Sequence, residues 1–112
     1  SNAYHAYHLY VIKTKKRKEL HEFLKEHKIF AQVHYIPVHL QPFYKNKGFK
    51  KGDFPVAESY YDKCLSLPMF PSLSEEEQEF VIEKVVGFFF FFWTIARWHE
   101  SESMMEQLIN NQ

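Results

Sequence analysis

The sequence is poor in several features that would point at once to a functional class. It has one cysteine, three glycines and no net charge at pH 7 among its 112 residues. A lone cysteine cannot form an internal disulfide, so nothing in the chain requires an oxidising compartment, and we expect a cytoplasmic protein. Balanced charge argues against a general electrostatic attraction to nucleic acid or to an anionic membrane. A glycine-rich loop that would cradle phosphates is absent from the sequence as well.

The most apolar stretch of the chain is too short to span a membrane. Residues 85–96 contain five consecutive phenylalanines and are bounded by Lys84 and Arg97, whereas a transmembrane helix needs about 20 apolar residues. We therefore expect neither a membrane span nor a membrane anchor. A run of phenylalanine codons implies a run of thymines. One hypothesis is that residues 89–112 are an extra tail appended by a slipped reading frame.

The remaining composition indicates one packed domain. Hydrophobic residues make up 46% of the chain and aromatic residues 19%, which is more apolar material than a disordered segment carries. A chain of this length is enough for one small domain. Ser1, Asn2 and Ala3 are interpreted as the remnant of a cleaved expression tag. The domain itself is assigned to residues 4–88.

Periodicity predicts an alternation of strands and helices. Strands are expected at residues 6–12, 29–35 and 64–70, and helices at residues 15–27, at 56–63 and from 75 onward. The inward positions, chosen by helical or alternating spacing, are Leu20, Phe23, Leu24 and His27; Ile29, Ala31 and Val33; and Phe80, Val81, Val85 and Phe88. Ser74 and Glu77 form a capping-box pattern before the last helix. This order predicts an α/β (α+β) fold with helices packed on a three-stranded sheet.

Residues 36–54 form a loop that is too long to be a plain connector. Pro37 and Pro42 rule out a central strand or a helix interior between them. Side chains in and beside this loop supply donors, acceptors and flat rings, as expected where a polar, ring-bearing small molecule is bound. The candidate ligand-binding residues are His34, Tyr35, His39, Gln41 and Tyr44. The loop lysines either contact phosphate or remain solvated; they are Lys45, Lys47, Lys50 and Lys51.

The same residues argue against several kinds of reactive centre. The spacing of His34 and His39 matches no structural zinc motif, and no cysteine lies nearby to complete four ligands, so we expect no metal site. Cys64 is expected to be a small apolar residue in the core rather than a nucleophile. No lysine has the apolar sequence context that Schiff-base chemistry requires. By itself the chain lacks a credible catalytic set, and no catalytic residue is assigned.

Three longer segments resemble a known enzyme family. They are AYHLYVI at residues 6–12, IFAQVHYIPVHLQPFY at 29–44 and FPVAESYYDKCLSLPMFPSLSEEEQEFVIEKV at 54–85. These segments are similar to the C-terminal small domain of the DegT/DnrJ/StrS sugar aminotransferases, which are pyridoxal-phosphate enzymes of the aspartate-aminotransferase fold type. The loop is most similar to that of the members that aminate UDP-4-keto-6-deoxy-N-acetylhexosamines, as in the pseudaminic-acid pathway.

The resemblance implies that the chain is one domain of a longer, homodimeric enzyme. That parent would move an amino group from glutamate, through pyridoxal phosphate, to the 4-keto carbon of a UDP-linked deoxysugar. The cofactor lysine would belong to a large N-terminal domain, so this fragment would bind no cofactor and would be inactive alone. The residues that would line the sugar-nucleotide side of the cleft are His34, Tyr35, His39 and Gln41. Lys45 and Lys47 would approach the diphosphate.

Two other functions remain open from the residues. A free-standing ligand-binding or regulatory module predicts that this chain alone binds a nucleotide sugar. A nucleic-acid binder that uses Phe43, Phe49 and the loop lysines predicts steeply salt-dependent binding of oligonucleotides. The balanced charge of the chain argues against the nucleic-acid binder.

Overall fold

The computed structural model describes Tyr4, Ala6 and residues 8–110, without the side chains of residues 98–105 and 107–110. The elements are β1 (Tyr10–Lys13), α1 (Arg17–Glu26), a 3-10 helix (Val38–Leu40), α2 (Pro42–Lys45), α3 (Pro55–Lys63), β2 (Cys64–Leu67) and α4 (Glu75–Asn110). The strand expected from residue 6 begins later, at Tyr10, and residue 7 lies outside the described residues. The expected tag remnant and the last two residues of the expected tail also lie outside them.

The sheet has two strands among the described residues, so the prediction of three was wrong. β1 and β2 pair antiparallel, from Tyr10 opposite Leu67 to Lys13 opposite Cys64. The segment expected as the remaining strand, residues 29–35, makes one isolated bridge to β2. In that bridge the Gln32 N–H donates to the Ser66 carbonyl at 2.9 Å, and the Ser66 N–H donates to the Gln32 carbonyl at 2.7 Å.

The partners available on β2 explain why this bridge does not grow into a strand. In an antiparallel ladder that contains the bridge, the next hydrogen-bonded pairs are Phe30 with Pro68 and His34 with Cys64. Proline has no N–H to donate. The Cys64 N–H is already bonded to the Tyr60 carbonyl, at the end of α3. Both directions of extension therefore lack a backbone donor.

The hydrophobic core lies between α1, α4 and one face of β2. Its buried members are Leu20, Leu24, Ile29, Ala31, Leu65, Val81 and Phe88, with Phe23, Val33 and Val85 packed against them. They include the inward positions that periodicity predicted on α1, on residues 29–33 and on α4, apart from His27 and Phe80. Phe80 is 42% exposed and lines an open concavity together with residues 27–30. His27 caps the end of α1 and its ring lies 4.3 Å from that of Phe23.

A capping box starts α4, as the sequence predicted. The Ser74 N–H donates to Glu77 Oε2 at 3.0 Å, and the Glu77 N–H donates to Ser74 Oγ at 3.2 Å. These two bonds satisfy backbone donors that the first turn of a helix leaves free. The local pattern therefore determines where this helix begins.

The far half of α4 projects from the rest of the chain. The helix has 36 residues, which corresponds to about 54 Å at 1.5 Å per residue. The Cα radius of gyration is 19.7 Å, compared with about 13 Å for a compact chain of this length. Phe90, Phe91 and Trp93 are each more than half exposed. Within the part of the chain that the structure describes, no helix combines the length and the apolar character needed to cross a bilayer.

Two glycines in different backbone conformations give a matched pair of substitutions. Gly52 has a φ of +98°, which is unfavourable for an L side chain by about 1–2 kcal/mol. Gly87 is helical, and a Cβ built there meets no atom within 4 Å. We expect Gly87→Ala to raise the free energy of unfolding by about 0.5–1 kcal/mol and Gly52→Ala to lower it by about 1 kcal/mol. Urea denaturation measures both, and a stabilising Gly52→Ala would contradict the left-handed conformation.

Candidate functional site

The candidate site lies on the face of β2 that points away from the core. Successive side chains of a strand point to opposite faces, so Leu65 enters the core while Cys64 and Ser66 face residues 34–35. Nδ1 of His34 and Oγ of Ser66 are hydrogen-bonded at 2.8 Å. The Cys64 thiol donates to the His34 carbonyl at 3.7 Å. The strand thus holds His34 by both its ring and its backbone.

A first surface concavity, of about 660 Å³, opens beside His34. Its lining residues are His34, Tyr35, Pro37, Asp53, Phe54, Pro55, Val56, Ala57 and Tyr60. Tyr35 is 71% exposed, and its ring lies 4.7 Å from the imidazole of His34. The bond to Ser66 engages Nδ1 of His34, so Nε2 is the ring nitrogen left for a ligand. A flat polar molecule would meet aromatic rings and one imidazole here.

A second, smaller concavity of about 380 Å³ adjoins the first. Its lining residues are Pro37, Val38, His39, Tyr44, Phe49, Phe54 and Ala57. The two concavities share Pro37, Phe54 and Ala57. Of the predicted ligand residues, His34 and Tyr35 therefore line one concavity, and His39 and Tyr44 line its neighbour.

The remaining predicted residues lie apart from both concavities. Gln41 is exposed and immediately precedes α2, where its carbonyl accepts the N–H groups of Tyr44 and Lys45. Lys45 is exposed on the same short helix. Lys47 is exposed, and its ammonium lies 4.9 Å from the ring of Phe43. A contact between these side chains and a ligand would require the ligand to extend beyond the two concavities.

Sequence reasoning missed Glu58, the acidic residue that connects the segments of the site. Its side chain is only 11% exposed, and its carboxylate accepts a hydrogen bond from Nε2 of His39 at 2.8 Å. The same carboxylate accepts the Gly52 N–H at 2.8 and 3.0 Å and the Phe54 N–H at 3.4 Å. The signal in the sequence was a glutamate in the first turn of a proline-initiated helix, where carboxylates bind free backbone N–H groups.

These contacts change the ionisation of Glu58. The hydrogen bond from His39 is the main cause that lowers the pKa of the Glu58 carboxyl below that of a free glutamate. The N–H groups of Gly52 and Phe54 and the charge of His39 act in the same direction, whereas burial opposes them. Glu58 is therefore an ionised acceptor at neutral pH.

Acid is expected to remove the stability that ionised Glu58 contributes. Because the pKa is lower in the folded state, the contribution is complete above the unfolded pKa of about 4.3 and is lost as pH falls through the lower folded pKa. Urea denaturation at a series of pH values from about 6 to 2 measures this loss. We expect a weaker acid dependence in Glu58→Gln, whereas Asp53→Asn, which alters an exposed carboxylate, should follow the wild type. Equal acid dependence in wild type and Glu58→Gln would contradict the prediction.

Comparison with known proteins assigns this chain to a family. The model of the DegT/DnrJ/EryC1/StrS aminotransferase family matches residues 1–86. The chain belongs to this family. The family is one of aminotransferases. Both concavities and all the buried core residues except Phe88 lie within the matched residues.

Individual members show the same similarity. A pleiotropic regulatory protein of Geobacillus stearothermophilus is 48% identical over 87 residues, covering 77% of this chain and 23% of that protein. The dTDP-3-amino-3,6-dideoxy-alpha-D-galactopyranose transaminase of Aneurinibacillus thermoaerophilus is 37% identical, covering 72% and 22%. The crystal structure of S. venezuelae DesV in complex with a ketimine intermediate superposes with a TM-score of 0.66 at 38% identity, covering 70% and 21%. The chain thus spans less than a quarter of the length of these relatives.

No lysine in the described part of the chain lines either of the two concavities. A Schiff base with pyridoxal phosphate needs a lysine in a closed pocket. The loop lysines are exposed, Lys63 donates to Ser59 Oγ at 2.9 Å, and Lys84 is paired with Glu83 at 3.0 Å. Among the described residues there is also no group of three or more histidine, cysteine or acidic side chains that could hold a metal ion. We therefore assign no reaction step on the cofactor to these residues.

Proposed function

We propose that residues 4–88 are the C-terminal small domain of an aminotransferase that moves an amino group from glutamate to the 4-keto carbon of a nucleotide-linked deoxysugar. The observation that carries the proposal is the family match over residues 1–86. The matched residues include a surface with imidazole and aromatic side chains, which suits a polar, ring-bearing ligand. The partner that completes the enzyme is a large domain of the parent chain, which supplies the cofactor lysine.

In this proposal the small domain binds and orients the substrate. Pyridoxal phosphate, when bound to the parent, supplies the electron sink for the transfer. His34 offers Nε2 to a sugar or nucleotide oxygen, because its Nδ1 is bonded to Ser66. The exposed ring of Tyr35 offers a stacking surface, and the walls of the first concavity exclude water from one side of the ligand. Lys45, at the end of α2, and Lys47, just after it, are exposed, and a diphosphate that extends from the concavities would meet them.

Within the family, we propose a UDP-4-keto-6-deoxy-N-acetylhexosamine as the substrate. The support is the sequence HYIPVHLQP at residues 34–42, which resembles that of the enzymes of the pseudaminic-acid pathway. A homodimer and a cytoplasmic location accompany this assignment; the single, buried cysteine agrees with a reducing compartment. No nucleic-acid or membrane partner forms part of the proposal.

We also propose that residues 89–112 are an extra tail appended by a slipped reading frame. The support is the phenylalanine run at residues 88–92 and the projection of this half of α4 away from the core. The nucleotide sequence around the run tests the idea. An alternative frame that continues the family pattern beyond residue 88 is expected, and a stop codon or an unrelated sequence in both other frames would contradict it.

The function is tested with the chain alone and with a chimera. The chain alone, mixed with pyridoxal phosphate and treated with borohydride, should show no lysine adduct at a defined site and no amination of a UDP-4-keto sugar by glutamate. A chimera that joins residues 4–88 to the large domain of the A. thermoaerophilus transaminase should aminate a nucleotide keto sugar with glutamate as the amino donor. The matched control is that transaminase with its own small domain.

Three results would contradict the proposal. Stoichiometric labelling of one lysine with turnover would show that the short chain holds a complete site. A chimera that folds and binds the cofactor, yet aminates no nucleotide keto sugar, would argue against the domain assignment. Tight binding of a UDP-sugar by the chain alone would favour a free-standing ligand-binding module.

A further inference from the structure

Phe54 is the wall that the two concavities share, and its position depends on contacts made by its backbone. Its ring lies 4.8 Å from the imidazole of His39 and 6.2 Å from the ring of Phe49. It also lies beside Pro37, which lines both concavities too. A displacement of Phe54 would therefore alter both concavities at once.

Glu58 holds the backbone of Phe54 and of the turn that precedes it. The two carboxylate oxygens accept the N–H of Gly52, and Oε1 also accepts the N–H of Phe54. Gly52 has a positive φ of +98°, so the turn that leads to Phe54 uses a conformation that other residues rarely adopt. Few other hydrogen bonds support this turn within the described residues: the Asp53 N–H donates to the Lys50 carbonyl at 3.3 Å, and the Lys50 N–H donates to the Asp53 carboxylate at 2.9 Å.

The same carboxylate also holds the second concavity. Oε1 of Glu58 accepts the hydrogen bond from His39, on the 3-10 helix that follows Pro37. One buried side chain of α3 thereby joins two segments that are separated by more than ten residues along the chain. Glu58 itself lines neither concavity, so it acts on a ligand only through His39 and Phe54.

We propose that Glu58 is a positioning residue, whose carboxylate keeps Phe54 and His39 together and so joins the two concavities into one ligand-binding surface. The proposal rests on the proposed function for the role of that surface. In this role, Glu58 aligns the part of the small domain that faces the nucleotide sugar. Without the carboxylate, the N–H of Gly52 and the buried imidazole of His39 lose their acceptor, and the turn is free to move.

Amide hydrogen exchange measured by NMR on the 112-residue chain tests the proposal. In Glu58→Ala, we expect the Gly52 amide to exchange at least about tenfold faster than in the wild type. The amides of Leu24 and Ser66, which belong to the core and to β2, serve as internal references and should change by less than about twofold. We also expect the nuclear Overhauser contact between the rings of His39 and Phe54 to disappear.

Two further variants make the outcome specific. Glu58→Gln keeps one acceptor oxygen of the same reach, so it should restore most of the Gly52 protection and the contact between the two rings. Asp53→Asn alters the neighbouring carboxylate of the same turn, which is exposed, and should retain the contact between His39 and Phe54. If Glu58→Ala does not fold, Glu58→Gln is compared with the wild type. The remaining loss of protection should then be confined to Gly52, and a measurable loss of the same size at Gly52 and Leu24 would overturn the proposal.

Two results with Glu58→Ala would also overturn it. Faster exchange at Leu24, Ser66 and Gly52 alike would show that Glu58 contributes only to global stability. A folded Glu58→Ala that keeps both the Gly52 protection and the contact between the rings would show that other interactions position the turn. None of these measurements needs a nucleotide or a cofactor, so a negative amination assay leaves them unaffected.

Discussion

Replacement of Leu65 by alanine is expected to lower the free energy of unfolding by about 2–5 kcal/mol. Leu65 is fully buried at 0% exposure, at the centre of β2. It belongs to the same core cluster as Leu24, Val81 and Phe88. Truncation removes apolar atoms from the core and leaves a cavity that the surrounding helices fill only in part. Since small domains are stable by about 5–15 kcal/mol, this one change is expected to remove a large share of the total.

Urea denaturation followed by circular dichroism measures this loss. The matched control is Val56→Ala on α3, since Val56 is 84% exposed and should change the free energy of unfolding by no more than about 0.5 kcal/mol. Leu65→Val keeps most of the side chain and gives a measurable value if the alanine variant does not fold. A Leu65→Ala change no larger than that of Val56→Ala would contradict the described core.

Phe88→Ala is expected to cost about 3–5 kcal/mol, whereas Phe90→Ala should be close to neutral. Both residues belong to the same run of five phenylalanines, but Phe88 is 4% exposed and Phe90 is 64% exposed. The ring of Phe88 lies 5.3 Å from that of Phe23 on α1 and 4.7 Å from that of Phe92. Its loss removes an aromatic contact and opens a cavity where α4 meets α1.

Because the two variants share their chemistry and nearly their position, helix propensity cancels between them. The difference in the free energy of unfolding therefore reports burial alone, and urea denaturation of both variants measures it. Equal losses of unfolding free energy in Phe88→Ala and Phe90→Ala would show that α4 is rotated about its axis relative to the described structure. A large effect of Phe90→Ala would indicate that the exposed face of the run is covered in solution, for instance by a second copy of the chain.

The features that the sequence predicted well are local ones. The spacing of Leu20 and Leu24 places both on one side of α1, whatever packs against them. The capping box of Ser74 and Glu77 depends only on four consecutive residues at the start of the helix. The family resemblance is also a local feature, because the HYIPVHLQP sequence can be recognised without knowing where its side chains lie.

The third strand shows where local reasoning stops. Residues 29–35 alternate as a strand would, and Ile29 and Ala31 are buried as that alternation predicts. Strand pairing also needs backbone donors on the neighbouring strand. Those donors are missing at the two next positions, because Pro68 has no N–H and the N–H of Cys64 is already bonded to Tyr60. Neither fact can be seen in residues 29–35 themselves.

Sequence alone therefore determined the family, the positions of the main helices and most of the inward-facing residues, and it predicted the segment that carries the candidate site. Only the tertiary structure determined which residues of that segment come together. His34 depends on Ser66 and His39 depends on Glu58, partners that are 32 and 19 residues away along the chain. Pairings at such separations are decided by how β2 and α3 pack against the loop, because a side-chain hydrogen bond forms only where folding has already brought donor and acceptor within about 3 Å.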